Sequence, residues 1–136
     1  GTFVVHSGSG GSGVSYDNTL DVVKLPGTGA TDPSGLKVAG MLLNDMVNVD
    51  QSKYRLNCYK DEMQIGSKCH LLVKGRVFTD KLKAGESPSA GLIAYLAPTG
   101  FVTTGSAAGV PAVGVFKARK DANNFVLLEV DCTQFN

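Results

Sequence analysis

Gly91-Leu92-Ile93-Ala94-Tyr95-Leu96, Phe101-Val102-Thr103-Thr104, Ala112-Val113-Gly114-Val115-Phe116-Lys117-Ala118 and Phe125-Val126-Leu127-Leu128-Glu129-Val130-Asp131 are the runs that decide the fold. Each is short and rich in β-branched, aliphatic and aromatic residues. Pro98-Thr99-Gly100, a loop of small residues, and Lys120-Asp121-Ala122-Asn123-Asn124 separate them. Such runs, bounded by Pro, Gly, Asn and Asp, predict an antiparallel, all-β domain. Nothing inside them reads as reactive machinery, so they predict a rigid surface and not a catalyst.

Upstream, Tyr54-Arg55-Leu56-Asn57-Cys58-Tyr59 alternates with period two. Lys68-Cys69-His70-Leu71-Leu72-Val73 passes through Lys74-Gly75 into Arg76-Val77-Phe78-Thr79, which predicts a hairpin. Leu36 to Asp50 is open between two readings. Leu36, Ala39, Leu43, Met46 and Val47 fit one helical face behind a Ser34 cap, whereas Gly40 and the alternation ending at Asp50 favour a strand. The balance leans to the strand. Phe78, Tyr95, Phe101, Phe116 and Phe125 are read as core and cross-strand packing residues, with Phe101 also a candidate exposed anchor because it follows a turn glycine.

Residues 1–35 differ in composition. A brief apolar patch, Phe3-Val4-Val5, precedes Gly8-Ser9-Gly10-Gly11-Ser12-Gly13, which has the make-up of a flexible linker. Thr19 to Leu25 fits one short strand, broken by Pro26-Gly27-Thr28-Gly29. Ordering each residue costs about 1–2 kcal/mol of backbone entropy, which so few apolar groups offset poorly alone. The segment is therefore expected to be an extended arm that orders against a partner, with residues 36–136 forming the β-rich body.

With 136 residues the chain suits one domain, and 43% hydrophobic residues supply a core. Thirteen basic residues against 12 acidic ones give no field for nucleic acid. No apolar run approaches the roughly 20 residues of a membrane helix. Cys58, Cys69 and Cys132 are too few and too unevenly spaced for a disulfide framework, and they predict buried thiols in a reducing compartment. The first residue is not Met, so a removed leader stays open.

The motifs carry little chemistry. Gly8, Gly10 and Gly13 spell G-x-G-x-x-G, but Val14-Ser15-Tyr16-Asp17-Asn18 starts no helix on which a pyrophosphate would rest. Cys69 and His70 would point to opposite faces of a strand and so would not share one metal ion. There is no nucleophile elbow and no phosphate loop, and Asp61-Glu62 reads as solvated loop charge. No catalytic residue, cofactor or metal is predicted.

Several segments resemble the head decoration (capsid cement) proteins of tailed bacteriophages. They are Val38-Ala39-Gly40-Met41-Leu42-Leu43-Asn44-Asp45, Leu71-Leu72-Val73-Lys74-Gly75-Arg76-Val77, Ala94-Tyr95-Leu96-Ala97-Pro98-Thr99-Gly100 and Pro111-Ala112-Val113-Gly114-Val115-Phe116, with the closing Phe125 to Asp131. The resemblance implies a small β-barrel or β-tulip body and no enzymatic activity. It also implies trimers on the outer surface of an icosahedral head, made in the host cytoplasm and binding the major capsid protein. On that reading the expected capsid or subunit interface comprises Phe3, Val4, Val5, Tyr16, Val22, Val23, Leu25 and Phe101. An arm can add a strand to a neighbour's open sheet edge, and several copies engaged together make weak contacts durable. Two other readings are a receptor- or glycan-binding β-domain of a virion fibre or spike, and a small ligand-binding or catalytic barrel with a concave pocket.

Overall fold

The computed structural model of the chain describes residues 1–6, 23–27, 33–43, 48–49, 59–60 and 69–133. Among the described residues eleven strands run in chain order: β1 Phe3–His6, β2 Val23–Lys24, β3 Val38–Leu42, β4 Asn48–Val49, β5 Tyr59–Lys60, β6 Leu71–Leu72, β7 Lys74–Thr79, β8 Ile93–Leu96, β9 Val102–Thr103, β10 Ala112–Phe116 and β11 Val126–Asp131. One sheet has the order β2-β1-β3-β6, a second the order β7-β11-β10-β8-β9, and β4 pairs with β5. Every pairing between these described strands is antiparallel. The fold is all-β, as the sequence predicts; within Leu36 to Asp50, Val38–Leu42 forms a strand and not a helix, while residues 44–47 and 50 lie outside the described residues. Among the described residues the two larger sheets stay open and face one another in a sandwich-like arrangement, without closing into a barrel.

The last four runs become β8 to β11, because alternation puts one side chain in two on the shared core. In β11, Val126, Leu128 and Val130 are buried while Leu127, Glu129 and Asp131 face outward. Their inward side chains meet Phe116 and Val113 from β10, Ala94 and Leu96 from β8, and Val102 from β9. Phe3, Val5 and Met41 supply the other layer. Fully burying one such side chain stabilises by about 1.5–3 kcal/mol, so these residues carry most of the packing energy.

Two expectations are corrected here. The first is the hairpin through Lys74-Gly75. β6 pairs with β3 in one sheet and β7 with β11 in the other, so the chain changes sheets at Val73. The Cys132 N–H donates to the Val73 carbonyl at 2.9 Å and secures that corner, and Lys74-Gly75 simply continues into β7.

The second concerns the N-terminal segment. Phe3, Val4 and Val5 are 1%, 3% and 0% exposed, inside the chain's own fold. β1 lies between β2 and β3, with Phe3 opposite Met41 and Val4 opposite Gly40. A boundary near residue 35 therefore does not separate β1 and β2 from the body. The physical reason is that a continuous apolar strand gains more from a ready-made sheet than from waiting for a partner. Gly100, at φ +80°, lets the 3-10 turn Pro98–Gly100 press against this strand, since a Cβ there would overlap the Phe3 carbonyl oxygen. Gly8, Gly10 and Gly13 lie outside the described residues.

Candidate interaction face

The outer face of the five-stranded sheet is where the structure exposes what a soluble sheet ordinarily hides. Strand β7 sends Lys74, Arg76 and Phe78 outward, and Phe78 is 70% exposed. Register builds two rows across this face. Arg76 stands opposite Glu129, Glu129 opposite Val115, and Val115 opposite Ile93. Phe78 stands opposite Leu127, and the Lys117 N–H donates to the Leu127 carbonyl at 2.8 Å. Ile93 on β8 adds further apolar surface at 48% exposed, and Phe125, just before β11, is 42% exposed.

Charges at the centre of the face are paired in place, three cations sharing two carboxylates. Arg76 Nε and Lys117 Nζ reach the same Glu129 Oε2 at 3.3 and 3.2 Å, from strands on either side of β11. Lys74 Nζ lies 3.7 Å from Asp131 Oδ2. Lys117, and then Arg76, hold the Glu129 carboxyl below the usual carboxylate range. Asp131 is also held low, first by the Thr133 hydroxyl and N–H and then by Lys74. Solvent-exposed pairs of this kind contribute little to stability. Phe78 and Ile93 flank this row of paired charges.

The predicted interface residues do not gather on this face. Phe3, Val4 and Val5 are buried, Val23 is half-buried in β2, and Leu25 is exposed just beyond it. Phe101 is half-buried behind the 3-10 turn. The Thr99 N–H donates to the Gly27 carbonyl at 3.2 Å, which ties the chain after Leu25 to that turn. Tyr16 and Val22 lie outside the described residues.

Reading Phe78 and Phe125 as core residues is also corrected, whereas Phe116 is fully buried. The signal was present in the sequence. Phe78 shares parity with Lys74 and Arg76, so whichever face carries those charges must carry Phe78 as well.

Cys132 packs against the core, and burial pushes its thiol up to about 11, with Asp131 adding to the shift. That holds it as a small hydrophobe and not a nucleophile. Cys69 is half-buried, His70 is exposed, and Cys58 lies outside the described residues. Among the described residues no three His, Cys, Asp or Glu side chains converge on one point.

No protein-family model matches the chain, and neither a curated protein nor a solved structure matches it.

Proposed function

We propose that this chain is a capsid decoration (cement) protein, which binds the outer surface of an icosahedral phage head and stabilises contacts between major capsid subunits. One observation carries the reading. The outward face of a five-stranded antiparallel sheet presents Phe78 and Ile93 to solvent beside an internally paired charge row, with Phe125 exposed just before β11. A sheet with one face already packed gains nothing alone from apolar groups on the other, so such groups favour a protein interface. Broad antiparallel faces suit flat, multi-residue contacts, and the resemblance of the strand segments to decoration proteins names the shell as the partner. Assembly as a trimer lets three such faces bind at once, which multiplies a weak single contact.

The test uses heads lacking their decoration protein. Purified chain is expected to co-sediment with them saturably and to raise the temperature at which they rupture. Phe78→Asp combined with Ile93→Asp should abolish both effects while leaving the protein folded. Wild-type protein that neither co-sediments nor shifts rupture overturns the proposal. The same exposed Phe78, next to Arg76, is what a receptor- or glycan-binding spike domain would need. Saturable binding on a glycan array without any binding to heads assigns the face to that role.

A further inference from the structure

A second feature lies at the end of the same sheet and is chemically distinct from its apolar face. The loop after Glu86 and the loop after β10 enclose an open groove of about 480 Å³, lined by Ser87, Pro88, Ser89, Ala90, Arg119 and Lys120. That volume falls within the range of small-molecule sites, roughly 300–1,000 Å³. The lining holds two cations and two hydroxyls, and no carboxylate.

The nearby acids are committed elsewhere. Glu86 turns its carboxylate away, accepting from the Thr103 hydroxyl, from the Thr104 N–H at 2.6 Å and from the Thr104 hydroxyl at 3.0 Å. Asp121 Oδ1 accepts from the Asn123 and Phe125 N–H groups, both at 2.8 Å, and so closes its own turn. Lys120 Nζ donates to the Glu86 main-chain carbonyl at 3.1 Å, which spans the groove without cancelling charge. No acidic side chain among the described residues pairs with Arg119.

Both walls are fixed before anything binds. Pro88 is fully buried under the first loop, and the Gly91 N–H donates to the Phe116 carbonyl at 2.7 Å. On the other side the Asp121 N–H donates to the Phe125 carbonyl at 3.0 Å. The backbone that carries the donors is therefore fixed, and Lys120 is already held by the Glu86 carbonyl, which lowers the entropy lost on binding. A guanidinium supplies a planar fork of donors, an ammonium a point charge, and serine hydroxyls the remaining donors around a tetrahedral anion.

The geometry points to a binding site for a tetrahedral oxyanion, a phosphate or sulfate group, held between Arg119 and Lys120 with Ser87 and Ser89 completing the shell. A dianion matches two cations that no acidic side chain among the described residues pairs, whereas a single carboxylate would leave one of them uncompensated. This inference does not depend on capsid binding, and its test needs only the free protein.

Inorganic phosphate and a hexose 6-phosphate are titrated separately into labelled protein at constant ionic strength, with chloride as the control. Backbone amide resonances of Ser87, Ser89, Ala90, Arg119 and Lys120 should shift saturably with phosphate and not with chloride. Arg119→Gln is expected to weaken that binding about tenfold or more, the loss of a charge-assisted contact, with the urea midpoint unchanged. Lys120→Gln should also weaken it, and Arg119→Lys should restore part of the affinity. Tighter binding of the ester assigns the groove to a phosphorylated ligand, and equal binding assigns it to the free anion. Shifts that follow chloride equally, or that survive Arg119→Gln, overturn the site, as does the absence of saturation at tens of millimolar of both ligands.

Discussion

Replacing Phe3 with alanine tests whether the first strand belongs to the chain's own core. The side chain is 1% exposed and packs in the cluster with Met41, Leu96 and Phe116. Removing a buried phenyl ring costs about 3–5 kcal/mol, the sum of lost transfer energy and the cavity left behind. Domains of this size are stable by only about 5–15 kcal/mol, so the substitution consumes a large share of the total. With a urea dependence of about 2 kcal/mol per molar, the unfolding midpoint should fall by roughly 2 M. Phe78→Ala is the internal control, because Phe78 is 70% exposed and should cost less than about 0.5 kcal/mol in the isolated protein. The assay is urea denaturation followed by far-UV circular dichroism, which reads the sheets directly. If the two variants unfold at the same urea concentration, β1 is not part of the core and the sandwich described above is wrong.

Gly100→Ala should destabilise by at least about 2 kcal/mol by thermal melting, because the residue sits at φ +80° and its new Cβ meets the Phe3 carbonyl. Glu86→Ala removes the acceptor that ties its loop to Thr103 and Thr104 and should cost about 1–3 kcal/mol in the same melt, with Glu86→Gln costing less. Peptide mapping after iodoacetamide treatment at pH 8 should find Cys132 modified far more slowly in the folded protein than in urea. Its folded value of about 11 lies above the ordinary 9, so the unfolded chain loses that proton first, and stability should fall as pH rises from about 9 to about 11. Cys132→Ser should flatten that slope. The depressed carboxyl of Glu129 works in the opposite range. Its contribution is complete above the usual carboxylate value and is lost as pH falls through the folded one, so Glu129→Gln should reduce the acid sensitivity of the urea midpoint.

The body of the fold was legible because its strands alternate cleanly. Val126, Leu128 and Val130 interleave with Leu127, Glu129 and Asp131, and no helix period competes with that pattern. The same rule placed Ala112 to Phe116 and Ile93 to Leu96 in strands. Pairing was less legible, because partner choice depends on residues far apart in sequence. Nothing local in Lys74-Gly75 distinguishes a hairpin turn from a strand start. The difference lies in β11, more than fifty residues later, which offers β7 six consecutive register partners from Val126 to Asp131. Phe3-Val4-Val5 looked detached because a glycine-rich run follows it, yet composition downstream says nothing about where three apolar residues are buried. Of the candidate face, only the parity of Phe78 with Lys74 and Arg76 was readable. The charge row needed the cross-strand register, and the groove needed two loops about thirty residues apart to meet, with Arg119 and Lys120 facing Ser87 and Ser89.

The change of sheet at Val73 has a mechanical consequence. With one residue between β6 and β7, there is no slack in which a misalignment could be absorbed. Sliding Leu71–Leu72 by one position along β3 would drag Lys74 along β11 and turn the apolar side of β7 away from the interior. The two halves of the molecule must therefore settle their alignment together. Lengthening that link by a pair of glycines would uncouple them, trading a single well-defined arrangement for several competing ones.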